Sequence, residues 1–199
     1  MSDAGMTPGL DRRQAVAKLL DNRESLLVVT GLGSPTYDVF AAGDNDSNFY
    51  LWGAMGGAAL FGLGAALAQP DKSVAAVTGD GEQLMGMGGL ATIAVSGARN
   101  LSVVVLDNGH FGETGGQLSH SGMGVDLANV ATAVGFPVVK VVRTLDELDE
   151  ARAIIAQLDT GPHFILVKIA NGAMPRALPV RDGVFIKNRF RANLGLAIN

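Results

Sequence analysis

The chain has 199 residues, a formal net charge of −4, 48% hydrophobic residues, 27 glycines and no cysteine. That length and apolar content can bury a substantial core. The absence of cysteine excludes a disulfide scaffold, Cys-ligated zinc and a Cys-ligated iron–sulfur cluster, and the mildly acidic balance makes no case for nucleic acid as a partner.

Met1–Leu10 lacks a basic start and a continuous apolar stretch, so no signal peptide is expected. The glycine/alanine-rich run Gly53–Ala68 is 16 residues, short for a membrane span. No membrane role and a cytoplasmic protein are the default expectation. In Asp11–Glu24, Ala15, Val16, Leu19 and Leu20 fall on one face of a helix. Leu26–Thr30 reads as a short buried strand. Gly31-Leu32-Gly33-Ser34-Pro35 follows, where Ser34 could cap a helix with Pro35 at its first position. Thr36 stands where a dinucleotide fingerprint needs its third glycine, which rejects a Rossmann NAD site. Ala42–Asn48 is a polar loop. Phe49–Gly57 leads into a helix through Leu60, Leu63, Leu67 and Ala68 that stops at Pro70.

A β-rich run, Ser73–Thr78, then ends at Gly79-Asp80-Gly81, and a helical pattern runs through Leu84, Leu90, Ile93 and Ala94. The next apolar run, Leu101–Leu106, ends at Asp107-Asn108-Gly109. In a right-handed βαβ unit these two ends are neighbours on one edge of a parallel sheet. Their glycines let backbone N–H groups approach an anion, and Asp80 and Asn108 are hard oxygen ligands suited to Mg²⁺ shared with phosphates. His110–Gly124 is a glycine-rich loop at that same edge, where sites tend to sit. A helix from Asp126 to Val134, a strand Val138–Val142, a helix Leu145–Leu158 and a strand Phe164–Ala170 complete the pattern. Five strands alternating with helices imply an α/β doubly wound parallel sheet with helices on both faces.

The Gly-Asp-Gly triplet, followed after 25 residues by an Asp/Asn-Asn pair, resembles the signature of the diphosphate-binding domain of thiamin diphosphate-dependent enzymes. The run GDG-x-x-L-M-x-x-G-x-L-A-T-I further resembles the β subunits of sulfopyruvate decarboxylase and the equivalent half of phosphonopyruvate decarboxylase. The resemblance implies thiamin diphosphate and Mg²⁺ as cofactors, with Asp80, Asn108 and the His110 carbonyl as metal ligands. It implies cofactor contacts from Gly53, Met55, Gly79, Asp80, Gly81, Glu82, Asn108, His110, Phe111 and Gly112. Met55, 24 residues before Gly79, would be the wedge that bends the cofactor, and Gly53 would offer its carbonyl to the cofactor's amino group. The backbone N–H of Glu82 remains available to the diphosphate, although small residues are frequent at that position. Asp107 stands for the usual first asparagine and brings an extra negative charge. The His110 imidazole could face the substrate as a proton donor or point to solvent. His120 is a weaker candidate, and His163 reads as structural.

The family keeps its activating glutamate on a second domain of similar fold, for which this chain leaves only about 50 residues ahead of the Gly53–Gly56 turn. The implied protein is a single diphosphate-binding domain over residues 1–199, working with a separate subunit that carries the pyrimidine-binding domain and that glutamate, in a hetero-oligomer (α2β2 or larger). Its reaction would be decarboxylation of a small anionic 2-oxo acid. A carboligase subunit, a 2-oxo-acid oxidoreductase subunit and a non-enzymatic nucleotide-binding module are the alternatives. From Asn171 the tail carries Arg176, Arg181, Lys187, Arg189 and Arg191 against Asp182 alone. It reads as a basic arm that is either solvated, docked on an acidic partner or reaching over an anionic substrate.

Overall fold

A computed structural model describes residues 9–198; the first eight residues of the amino-terminal stretch considered above lie outside it. The elements run α1 (Arg12–Leu19), β1 (Leu27–Thr30), α2 (Ser34–Ala41), β2 (Asn48–Tyr50), α3 (Ala58–Ala68), β3 (Val74–Gly79), α4 (Asp80–Met85), α5 (Gly88–Ser96), β4 (Leu101–Asp107), β5 (His110–Phe111), β6 (Gln117–Leu118), α6 (Leu127–Val134), β7 (Val138–Val142), α7 (Leu145–Ile155), β8 (His163–Lys168) and α8 (Gly183–Asn193). Six strands form one parallel sheet in the order β2-β1-β3-β4-β8-β7. Among the described residues the only other pairing of named strands is the short antiparallel β5–β6.

The central strands are apolar along their length because helices cover both faces. All seven residues of β4 are buried, and they alternate: Val104 and Leu106 face a core built with α1, α2 and α7, whereas Val103 and Val105 face one built with α3, α5 and α6. Local signals set the helix ends. Asp126 caps α6 by accepting from Asn129 N–H, and α7 opens on a reciprocal capping box of Thr144 and Glu147.

The sheet and its two covered faces match the sequence reading, and four details differ from it. The sheet has six strands, since Asn48–Tyr50 adds to the edge beside β1. The helix expected through Leu84–Ala94 is two helices broken at Gly86-Met87, because Gly86 packs on the main chain of Gly56; a Cβ at Gly86 would meet Gly56 O at 2.2 Å. The cap of α2 is Gly33 at φ +73°, and Ser34 is already helical with no side-chain capping bond. The basic tail is not a free arm. It ends in α8, which sends Ile186 into one core and Phe190 into the other, while Arg189 pairs with Asp44 at 2.7 Å.

Candidate functional site

Strand order reverses between β1, whose chain continues outward to β2, and β3, which leads to β4. Such a reversal leaves a crevice at the carboxyl ends of the strands, because the connecting loops turn in opposite directions. A cleft of about 130 Å³ lies there. Leu32, Ser34 and Pro35 line it from the end of β1, Gly79 to Glu82 from the end of β3, and Asn108 and His110 to Gly112 from the end of β4. Met55 joins them from the turn before α3. Of the cofactor residues expected from sequence, only Gly53 is absent from this lining; it is exposed, with open space around it.

Asp80 is 2% exposed. Its Oδ2 accepts from Ser119 Oγ at 2.5 Å and from Ser121 Oγ at 2.8 Å. Ser121 Oγ is also 2.9 Å from Asp107 Oδ1 and 2.9 Å from Ser119 Oγ. Two hydroxyl hydrogens thus serve four short oxygen–oxygen contacts around two carboxylates. The cluster is short of positive charge or protons, which is what a cation on Asp80 would supply. Burial pushes the Asp80 carboxyl up, and the two serine hydrogen bonds pull it the other way. The extra charge on Asp107 is answered within the fold: Lys168 ion-pairs with its Oδ2, and Gly109 N–H donates to its Oδ1 at 3.0 Å.

Glu82 does something the sequence did not suggest. Its carboxylate, 5% exposed, accepts the Leu32 N–H on Oε2 at 2.8 Å and the Gly56 N–H on Oε1 at 3.3 Å. One side chain on α4 therefore ties the loop after β1 to the turn that carries Met55. Gly31 has to be glycine for this, because a Cβ there would meet Glu82 Oε2 at 1.9 Å. The same turn holds Ala54 at φ +55°, a left-handed conformation uncommon outside glycine, and its carbonyl accepts from Gly57 N–H at 2.8 Å. Met55 is left 39% exposed on the cleft rather than packed in a core.

The Asp107–His110 turn is fixed from within. His110 N–H donates to Asn108 Oδ1 at 2.9 Å, and His110 Nδ1 lies 2.8 Å from Asn108 O. A carbonyl can only accept, so Nδ1 carries the hydrogen and Nε2 is the ring nitrogen left as an acceptor. Phe111 sets the edge of its ring against Gly81, where a Cβ would lie 2.6 Å from Cδ1 and Cε1. His120 meets the Phe111 ring edge-on at 6.1 Å but does not line the cleft. His163 is fully buried between Ser102 and Thr160, in keeping with a structural role. Sequence reasoning missed Ser119 and Ser121, the Ser34 end of α2, and Arg12; only the serines carried a signal, as hydroxyls in a glycine-rich loop. On the far side of the Asp107–His110 turn lies a second cavity of about 650 Å³, lined by Ser121, Arg143 and Lys168 among others.

The expected metal donors in the cleft, the Asp80 carboxylate, the Asn108 amide oxygen and the His110 carbonyl, are hard oxygens that suit a divalent cation. Among the described residues no three His, Cys, Asp or Glu side chains gather as a ready-made cage. A metal beside Asp80 and Asn108 would thus draw further oxygens from a ligand's phosphates and from water, and the residues present fit that arrangement.

Residues 39–169 match the family model described as thiamine pyrophosphate enzyme, C-terminal TPP binding domain. The chain is 39% identical over 170 residues to phosphonopyruvate decarboxylase of Streptomyces viridochromogenes, covering 83% of this chain and 41% of that protein. It is 36% identical over 163 residues to sulfopyruvate decarboxylase subunit beta of Methanothermobacter thermautotrophicus, covering 82% of this chain and 84% of that subunit. In fold it superposes on the 4-hydroxybenzoylformate decarboxylase of Rhodococcus jostii with a TM-score of 0.65 at 21% identity, over 85% of this chain and 34% of that one.

Proposed function

The chain belongs to the thiamine pyrophosphate enzymes, as their C-terminal cofactor-binding domain, and from that premise we propose that it is the thiamin diphosphate- and Mg²⁺-binding subunit of a two-subunit 2-oxo-acid decarboxylase. The observation that carries the reading is the cleft itself. Asp80, Asn108 and the main chain of His110, from the ends of two adjacent strands, line the same crevice as Met55. In this reading Asp80, Asn108 and the His110 carbonyl hold the metal. The main chain of Gly79, Gly81, Glu82, Phe111 and Gly112 receives the diphosphate, Met55 is the wedge and Gly53 lends its carbonyl. When bound, the cofactor supplies the carbanion and electron sink for cleavage beside a 2-oxo group. His110 Nε2, with its ring pinned by Asn108 O, is placed to hold or pass a proton at the cleft.

A small anionic 2-oxo acid, losing CO₂ to leave an aldehyde, is the proposed substrate class, supported by the names of the relatives. Two observations support a partner subunit carrying the pyrimidine-binding domain and the activating glutamate, in an α2β2 or larger hetero-oligomer. A cofactor-sized ligand needs a pocket of about 300–1,000 Å³, and this cleft takes only one end of it. On one face of the sheet α3 and α5 leave Leu60, Phe61, Leu67 and Val95 exposed, at 41%, 37%, 57% and 83%. Among the described residues no helix is long and apolar enough to cross a membrane; a cytoplasmic location is part of the proposal.

Calorimetry tests the cofactor reading: thiamin diphosphate should bind with Mg²⁺ present, and ATP and NAD should not. The chain alone should turn over negligibly, and the complex with its partner should release aldehyde with no electron acceptor. Aldehyde-free turnover that requires an acceptor would replace the decarboxylase by an oxidoreductase.

A further inference from the structure

Gly9 and Leu10 extend the sheet edge beyond β8. Leu10 N–H donates to Lys168 O at 3.0 Å, and Ala170 N–H donates to Leu10 O at 2.9 Å. Gly9 passes so near that a Cβ there would meet Ile169 C at 2.3 Å. This docking starts α1 at the carboxyl edge of the sheet, beside the cleft. Arg12 is the first residue of α1 and shares its buried face with Ala15, Val16 and Leu19.

A guanidinium has five N–H donors and keeps its charge at all ordinary pH. Arg12 is 8% exposed, yet its donors are almost unused. Its Nε lies 3.4 Å from Asp38 Oδ2, close enough for an ion pair but outside hydrogen-bond geometry, and both atoms lack a hydrogen-bond partner. Asp38 is already served on its other oxygen by Arg13 Nε at 3.1 Å. Two cations and one anion leave this trio with a net charge of +1. Arg12 lines the cleft together with Ser34, Asp80 and Asn108. Buried charges are normally paired and hydrogen-bonded, because desolvation is costly. A buried guanidinium with an unused planar fork open on a cleft is therefore matched to an incoming oxyanion, which takes two parallel N–H bonds.

We propose that Arg12 is the oxyanion-binding residue of the cleft, its Nη fork gripping paired oxygens of the bound occupant. Two sources offer that chemistry, the diphosphate of the cofactor and the anionic group of the substrate. The inference deepens the cofactor reading of this cleft and rests on it for the identity of the occupant, though not for the anion site itself.

The test compares Arg12→Lys and Arg12→Gln with the parent chain, using inorganic pyrophosphate, thiamin diphosphate with Mg²⁺, and the Michaelis constant for the 2-oxo acid in the complete complex. A charge-assisted pair of this kind should weaken its ligand roughly tenfold or more when lost, with Lys intermediate. Weaker pyrophosphate and weaker cofactor binding assign the fork to the diphosphate. Unchanged values for both, with a raised KM and an unchanged kcat, assign it to the substrate. Folded variants that match the parent in all three overturn the proposal. If the parent chain binds pyrophosphate through Arg12 but takes up no thiamin diphosphate, the cofactor reading fails alone. Should both variants fail to fold, nitrogen-15 arginine spectra of the parent decide: saturating pyrophosphate must shift a buried guanidinium signal, and no shift overturns the proposal.

Discussion

Replacing Glu82 by glutamine changes almost no volume and separates two hydrogen bonds that the carboxylate makes on different oxygens. Leu32 N–H reaches Oε2 at 2.8 Å and Gly56 N–H reaches Oε1 at 3.3 Å. A glutamine side chain has one oxygen, so one of these buried N–H groups must face an NH₂ instead. The shorter bond to Leu32 keeps the oxygen, and the orphan is Gly56. An unsatisfied buried donor costs about 1–3 kcal/mol, and for a chain of this size each kcal/mol lowers Tm by about 2–4 °C. Glu82→Gln is therefore expected to melt roughly 2–12 °C below the parent in calorimetry. Burial pushes the Glu82 carboxyl up, so the comparison belongs at mildly alkaline pH, where the carboxylate is ionised. Amide exchange should quicken at Gly56 and not at Leu32, and cofactor affinity should fall because the turn that carries Met55 is released. An unchanged Tm with unchanged Gly56 protection would refute the tie between α4 and that turn.

Asp80→Ala should abolish Mg²⁺-dependent cofactor binding in calorimetry and Asn108→Ala should weaken it severely, both with parent-like circular dichroism; parent-like affinity in Asp80→Ala would remove the metal site from the cleft. Met55 is 39% exposed, so Met55→Ala leaves no core cavity, and stability should stay within about 0.5 kcal/mol of the parent. Turnover of the complete complex should nonetheless drop strongly, with Met55→Leu mild; unchanged turnover would strike Met55 from the site. His163 lies between Ser102 Oγ, 2.9 Å from Nδ1, and Thr160 Oγ1, 2.8 Å from Nε2, and burial holds its pKa below the ordinary value. Below about pH 6.5 the unfolded chain takes up a proton that the folded chain refuses, so stability present above that value is lost as pH falls, by up to about 1.4 kcal/mol per pH unit. Tm measured down that range should show the loss in the parent and a flatter profile in His163→Gln.

What could be read along the chain was whatever depends on near neighbours. The buried strands β3 and β4 announce themselves by unbroken apolar runs, and the oxygen-bearing residues at their ends follow from the rule that places crossovers. What could not be read depends on distant backbones meeting. The break after α4 is made by Gly86 lying on Gly56, thirty positions away, and nothing within the helix itself forecasts it. β2 is three residues long, too short for an alternation to register. Glu82 looks like a departure at a position where small residues are frequent until Gly31 is seen leaving room for its carboxylate. Arg12 reads as one charge at the start of an amphipathic helix, and only the docking of Leu10 beside β8 turns it inward. Arg189 of the tail likewise gave no sign of its acceptors, because Asp44 and Asp46 lie in a loop almost 150 positions earlier.

That tail has a consequence beyond holding α8 in place. A parallel sheet ends in strands whose outer edge could template another chain, and proteins guard such edges with charge, brevity or a covering element. β2 is guarded in all three ways. It is short, α8 lies along it, and Arg189 Nη2 occupies the Asn48 carbonyl at 3.2 Å while the same guanidinium is anchored to Asp44. The carboxyl-terminal helix thus acts as a stopper against edge-to-edge growth. Trimming residues far from the cleft would leave the chemistry's own groups intact and yet convert a well-behaved sheet into a self-associating one.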